Sequence, residues 1–142
     1  MKIVIDCNRI IAALIKDSTT RSIIMDNFFE FIAPDFVLSE VRKHEEEIIK
    51  KANITNEELE ILLALLFDTI TIIPRTDYDH FLNDLTTEIK DQNDLPYLAV
   101  SMSEKADGIW SHDPHFQEQK KVKVLTNIDL LKISGKIKFS ST

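Results

Sequence analysis

Lys2-Ile3-Val4-Ile5-Asp6-Cys7-Asn8 is the stretch on which the fold turns. Ile3, Val4 and Ile5 are β-branched and apolar without alternation, the pattern of a strand covered on both faces. An acid follows at once. From residue 8 to residue 31 the apolar positions change period: Ile10, Ile11, Leu14 and Ile15, then Ile23, Ile24 and Phe28, recur at helical spacing. Ser18, Thr19 and Thr20 interrupt that pattern and predict a new helix start. A buried strand followed directly by helix is the opening unit of an α/β domain.

The same alternation continues outward. Residues 30–33 predict a second strand. Pro34 and Asp35 predict the opening of a helix that runs through about residue 51. Thr55 and Glu58 form a capping-box pattern ahead of a very apolar helix, 59–67. Residues 69–73 predict a third strand that stops at Pro74, and 77–89 a helix. Residues 93–105 predict another, with Leu95, Leu98, Ala99 and Met102 on one face. A fourth strand is expected at 108–111 and a fifth at 122–125. Thr126 and Asp129 cap a last short helix that Gly135 ends. The expected fold is α/β: three α/β/α layers around a central, mostly parallel sheet of about five strands. One domain is expected over 1–135, with 136–142 a loosely held tail.

Composition sets the bounds on function. The chain has 142 residues, 44% of them hydrophobic and 29% charged, which is ordinary for a globular domain. No apolar run reaches the length of a membrane span, since the longest, 61–73, is interrupted by Asp68. The N-terminus lacks the apolar core of a signal peptide, and the single cysteine, Cys7, has no internal partner. Both features predict a cytoplasmic protein. The net charge of −7 runs against a generally basic nucleic-acid binder. A protein of this charge acting on phosphates needs bound cations or a local basic patch.

In parallel α/β sheets the ligand site lies beyond the carboxyl ends of the strands. Asp6 ends the first strand and Asp113 follows the fourth. Glu40 lies early in the helix after the second, and Asp94 opens the helix leading into the fourth. Four acids far apart in sequence are therefore expected at one edge. Each also has an ordinary structural use: Asp94 and Asp113 suit helix caps, and Glu40 suits a solvated helix face.

Val4-Ile5-Asp6-Cys7-Asn8, Leu38-Ser39-Glu40-Val41, Asp91-Gln92-Asn93-Asp94-Leu95-Pro96-Tyr97-Leu98-Ala99 and Ile109-Trp110-Ser111-His112-Asp113-Pro114-His115-Phe116 resemble, in order, the four acidic motifs of PIN domains. The resemblance runs from residue 1 to about 135. It implies the doubly wound α/β/α fold, dependence on Mg²⁺ or Mn²⁺, and endonucleolytic cleavage of RNA. Small stand-alone members of this kind resemble VapC toxins, which implies an antitoxin partner and a homodimer. Two positions depart from the family's pattern. Cys7 stands where members usually carry Thr or Ser, and His115 stands where a second Asp often follows the fourth acid.

The chemistry is consistent with that resemblance on its own terms. Mg²⁺ and Mn²⁺ are hard ions that prefer carboxylate and water oxygens. Asp6, Asp94 and Asp113 are the expected direct or water-bridged ligands, and Glu40 a ligand or a base that orients water. Asn8, Ser111 and Asp91 are expected to orient the carboxylates. Arg9, Arg42, Lys43, His112 and His115 are the candidate substrate contacts. Cys7 with His112 and His115 lacks the paired spacing of a zinc site. Trp110 and Phe116 are expected in the core, and Glu45-Glu46-Glu47 on a solvated helix face. The apolar stretch 59–67 suggests a surface for a second copy.

Three rival readings are weighed against the nuclease. A PIN-like fold can bind RNA or protein without cutting. A phosphotransfer domain also places Asp after its first strand, but a phosphatase of the haloacid dehalogenase type needs a second Asp where this chain has Asn8, and a receiver needs paired acids that Lys2 and Val4 do not supply. A nucleotide-binding module needs a Gly-rich loop, and the only glycines are Gly108 and Gly135.

Overall fold

A computed structural model describes residues 1–87 and 89–138. The strands are β1 (Lys2–Ile5), β2 (Glu30–Pro34), β3 (Ile70–Ile73), β4 (Gly108–Trp110) and β5 (Val124–Leu125). They form one sheet in the order β3-β2-β1-β4-β5. Every pairing is parallel, with Val4 opposite Ile32 on one side and Ile109 on the other. All five carboxyl ends therefore share one edge, and the sheet reverses direction of growth at β1, the position where α/β sheets open a crevice.

The helices are α1 (Cys7–Ile15), α2 (Ser18–Ile24), α3 (Phe36–Lys43), α4 (Glu45–Ala52), α5 (Asn56–Asp68), α6 (Arg75–Leu82), α7 (Leu95–Ser103) and α8 (Asn127–Ile133). Helix α7 lies against β1, β2 and β4 with α6 packed beside it, while α1 gathers α2, α3, α4 and α5 around itself, completing three α/β/α layers. The core is built from the uninterrupted apolar strands. Ile3, Val4, Ile5 and Ile109 are inaccessible to solvent, as are Trp110 and Phe116, which the sequence assigns to the core. Trp110 stacks at a tilt on Phe31 with ring centres 5.4 Å apart. Its indole N–H donates to Asn127 Oδ1 at 2.8 Å, which satisfies a polar atom that burial would otherwise penalise.

Local chemistry explains most boundaries. Asp17 accepts from the Thr20 backbone N–H at 2.9 Å and starts α2 at the break predicted there. Both capping boxes form, Thr55 with Glu58 and Thr126 with Asp129. The helix expected from residue 34 differs. Pro34 belongs to β2 and pairs with Ile73. Asp35 donates its N–H to Ile73 O, so the missing N–H of Pro34 faces the other side, where the β1 ladder has already ended at Ile32. The same helix is divided at His44 into α3 and α4. The helix expected at 77–89 stops at Leu82 and tightens into a 3₁₀ turn, Asn83–Leu85. Asp94 closes a second 3₁₀ turn, Gln92–Asp94, before α7 begins.

Strand β5 lies very close to β4. A Cβ built on Gly108 would stand 2.8 Å from Leu125 Cδ1 and 3.0 Å from Lys123 O, so a larger residue would need the Leu125 side chain to turn and the Lys123 carbonyl to give way. Helix α5 is apolar beyond its inner face: Leu59, Leu63 and Leu66 are buried, but Ile61 and Leu65 are 61% and 57% exposed. Of the expected tail, residues 139–142 lie outside the described residues.

Candidate metal centre

Asp6 stands immediately beyond β1, and its backbone N–H donates to Trp110 O at 3.1 Å, extending the β1–β4 ladder up to the acid itself. Its side chain is buried, 3% exposed. Ser111 Oγ donates to Asp6 Oδ2 at 2.7 Å and accepts from the Asp113 N–H at 2.9 Å, so one hydroxyl ties the acids of two adjacent strand ends. Burial pushes the Asp6 carboxyl up to about 6, with the charges of Asp113 and Glu40 adding to the shift; the Ser111 bond and the Asn8 backbone N–H oppose it. Asn8 thus reaches Asp6 through its main chain.

Asp94 ends its 3₁₀ turn 7% exposed, and its Oδ2 is buried with no hydrogen-bond partner. Burial and the charges of Asp113, Asp91 and Asp6 push its carboxyl up to about 7, while His115 pulls it down. Glu40 projects from α3 and is raised by burial. Tyr97, one turn into α7, donates its phenol O–H to Glu40 Oε1 in a short hydrogen bond. Asp113 caps the 3₁₀ turn Pro114–Glu118 by accepting from the His115 N–H at 2.9 Å. The four acids named from the sequence are thus one electrostatically interacting set at the carboxyl edge.

Their oxygens are not the tightest group. Among the described residues, ligand atoms of Asp91, Asp94 and His115 lie within 4.8 Å of one another. His115 Nδ1 is 3.8 Å from Asp91 Oδ2, 3.6 Å from Asp94 Oδ2 and 3.5 Å from Asp113 Oδ1. Asp6 and Asp113 stand outside that mutually close group, although Asp113 is the acid nearest to His115 Nδ1. Asp91 also caps the turn before Asp94 by accepting from the Asn93 N–H at 3.0 Å.

This arrangement fits a divalent cation. A buried carboxylate oxygen without a partner, in a group of acids that raise one another's pKa, is a place where added positive charge stabilises the fold. The donors are oxygens, with one imidazole.

Residues 4–129 match the PIN domain family. The chain belongs to the PIN-domain family. No curated protein matches it. The PIN architecture is shared with a solved chain from the crystal structure of VapBC2 from Rickettsia felis bound to a DNA fragment from their promoter, with a TM-score of 0.62 and 17% identity over 89% of this chain and 98% of that one.

The candidate substrate contacts divide. Arg42 is held away by Glu60, at 2.9 Å from its Nη2, and by Glu45 at 3.0 Å. Lys43 lies near enough to Glu40 to lower its pKa. Burial lowers the Arg9 pKa while the charges of Asp17 and Asp6 support its cation, and its Nε is buried without a hydrogen-bond partner. His112 accepts from the Asn127 N–H at 3.2 Å and lines a hollow of about 380 Å³ with Ser111, Asp113, Pro114 and Thr126. The sequence reading missed Tyr97. Its spacing three residues after Asp94, on the same face of one helix, is the signal that could have found it.

Proposed function

We propose that this PIN-domain protein is a divalent-metal-dependent endoribonuclease and the toxin of a toxin–antitoxin pair, acting with Mg²⁺ or Mn²⁺ in the cytoplasm. The observation that carries the reading is the buried Asp94 Oδ2, without a hydrogen-bond partner, among the charges of Asp113, Asp91 and Asp6. Asp6, Asp94 and Asp113 would hold the ion, with Glu40 beside them. The bound ion supplies an activated water at neutral pH and charge relief on the phosphoryl oxygens.

The chain's own groups do the remaining work. Ser111 keeps Asp6 ionised by donating to Oδ2, because a hydrogen bond to the charged form favours it. Tyr97 fixes Glu40 through Oε1, which leaves Oε2 to accept a proton from the attacking water. Arg9 and Lys43 offer cations to the RNA phosphates, which offsets the net charge of −7. The hollow beside Asp113 has the size of a small ligand site and takes a nucleotide next to the scissile bond.

The likeness to VapBC2 supports an antitoxin partner. Exposed Ile61 and Leu65 on α5 support a homodimer, since two large aliphatic side chains on one face favour a covering surface. No helix among the described residues is long and apolar enough to cross a membrane.

The test is cleavage of single-stranded RNA with Mn²⁺, with Mg²⁺ and with EDTA. Cleavage with either ion that EDTA abolishes is the expected result. Protein that binds RNA without cutting it under any of these conditions would instead be a binding module.

A further inference from the structure

His115 occupies the one position where the acid motifs of this chain carry a nitrogen in place of an oxygen. We propose that His115 coordinates the ion through Nδ1 together with Asp91 and Asp94, and that this nitrogen makes the centre select Mn²⁺ over Mg²⁺. The inference rests on the metal-dependent reading above and adds to it two ligands, His115 and Asp91, and an ion preference.

Three observations carry it. The first is spacing. His115 Nδ1 stands 3.6 Å from Asp94 Oδ2 and 3.8 Å from Asp91 Oδ2. Those separations are too long for hydrogen bonds. Ligands on one octahedral ion at about 2.1 Å are about 3 Å apart when adjacent and about 4.2 Å apart when opposite, so both separations lie between these and a shift of under about 1 Å brings the ring to the adjacent spacing.

The second observation is the state of Asp94. It is 7% exposed and Oδ2 has no partner, so a buried acceptor points into the space beside the imidazole. Buried acceptors without partners are uncommon and carry a desolvation penalty. The third is how His115 is held. Its backbone N–H is fixed to Asp113 Oδ1 at 2.9 Å, yet its side chain is 49% exposed. The main chain delivers the ring to the acids, and the half-exposed ring is free of the packing that would make it a structural residue.

The ion preference follows from ligand chemistry. Mg²⁺ binds oxygen and gains little from imidazole, whereas Mn²⁺, though it also favours oxygen and binds most weakly among the first-row ions, is a transition ion that accepts one nitrogen more readily than Mg²⁺ does. A centre of oxygens with one nitrogen therefore moves the balance away from Mg²⁺.

The test uses the full chain and its variants His115→Ala and His115→Asp, the second restoring an oxygen donor. Mn²⁺ is added alone, and directly bonded nitrogen is sought in the electron spin-echo spectrum. Mn²⁺ and Mg²⁺ affinities are measured by calorimetry. The parent is expected to show a nitrogen coupling that both variants lose. The ratio of Mn²⁺ to Mg²⁺ affinity should fall by ~10-fold in both, with His115→Asp gaining in Mg²⁺ affinity. The exposed ring makes unfolding of the variants unexpected, and a thermal melt checks this. A parent without nitrogen coupling, or an affinity ratio unchanged in the variants, overturns the proposal. If Mn²⁺ binds without nitrogen and RNA is still cut, the ligand assignment fails and the nuclease reading stands. Nitrogen-bound Mn²⁺ in a protein that cuts no RNA leaves the ligand assignment standing and removes the nuclease.

Discussion

Asp35 and Asp94 both sit at the carboxyl edge of the sheet, and the protein treats them in opposite ways. Asp35, beyond β2, has both oxygens used. Oδ1 accepts the Tyr78 phenol at 2.6 Å and Oδ2 accepts the Arg75 N–H at 3.1 Å. Burial and the Asp35 bond raise the Tyr78 hydroxyl, so it donates at any ordinary pH. This acid pins the start of α6 to the end of β2. Asp94 is 7% exposed, and its Oδ2 accepts no hydrogen bond from the protein. An acid that the fold itself satisfies is structural, and one left without a hydrogen bond is, on the proposed reading, held for a cation.

That contrast breaks most visibly by exchanging consequences. Asp94→Asn should lower RNA cleavage by ~10²-fold or more, because the ion supplies both the nucleophile and charge stabilisation. The same variant without metal should melt at the parent's temperature or slightly above it, since one of several repelling charges is gone. It should respond less to Mn²⁺ than the parent does. If Asp94 were only a cap, asparagine would replace it without loss. Cleavage assays and melts with and without Mn²⁺ decide this, and an Asp94→Asn protein that cuts like the parent removes Asp94 from the centre.

Asp35→Ala should do the reverse. It leaves the buried Tyr78 hydroxyl without its acceptor and should cost about 2 kcal/mol in stability by chemical denaturation. Cleavage at low temperature should remain near the parent's. Equal losses of cleavage in the two variants would erase the distinction between the acids.

Proton linkage sharpens it. Asp94 is raised from the usual 3.8 to about 7 and Asp6 to about 6. A carboxyl raised in the folded state contributes stability below its unfolded pKa, and that contribution is lost as pH rises through the folded value. The metal-free protein should therefore lose thermal stability between about pH 4 and pH 7. Asp94→Asn should flatten that decline, and Mn²⁺ should reverse it at pH 7.5. A metal-free melting temperature that rises across the interval would contradict the crowding of these acids.

The smallest effect concerns Tyr97. Tyr97→Phe removes one donor from Glu40 without touching Asp94, and should lower cleavage by only ~5-fold, as the loss of about one hydrogen bond implies. Its activity should also depend differently on pH, since Glu40 loses a bond that holds its pKa down.

Asp6, Asp94 and Asp113 were readable because each falls where a strand or helix terminus puts it, and those termini follow from the apolar period; Glu40 lies inside α3 and was readable only from its motif. Asp6 after Ile3-Val4-Ile5 needs no knowledge of the rest of the chain. The pairing of Asp35 with Tyr78 was not readable, because the partners are 43 residues apart and meet only once β2, β3 and α6 are in place. The tie of Asp6 to Ser111, 105 residues away, is similar: the sequence names Ser111 as an orienting group but not the hydroxyl's two bonds. Arg42 looked free in sequence and is held by Glu60 from α5. The division of the long helix at His44 escaped because Val41 and Ile48 keep an apparent helical period across it, and both are buried. Asp91 and His115 were assigned outer roles because no local pattern reveals that one ring and two carboxylates converge.

The tight seam at Gly108 limits how this centre can change. Strand β5 has two residues, and it delivers α8, whose Asn127 holds the Trp110 indole and, through its Nδ2 at 3.1 Å, Thr20. A single methyl at position 108 meets the end of the Leu125 side chain and the Lys123 carbonyl, and presses on the strand that leads to Asn127. Ser111, three residues along the same strand exit, donates its N–H to Leu125 O at 3.1 Å. The hydroxyl that couples Asp6 to Asp113 therefore stands at the end of the strand pairing whose close approach Gly108 permits. A residue that touches no acid, no cation and no nucleotide thus sets the tolerance within which the charged groups are mounted.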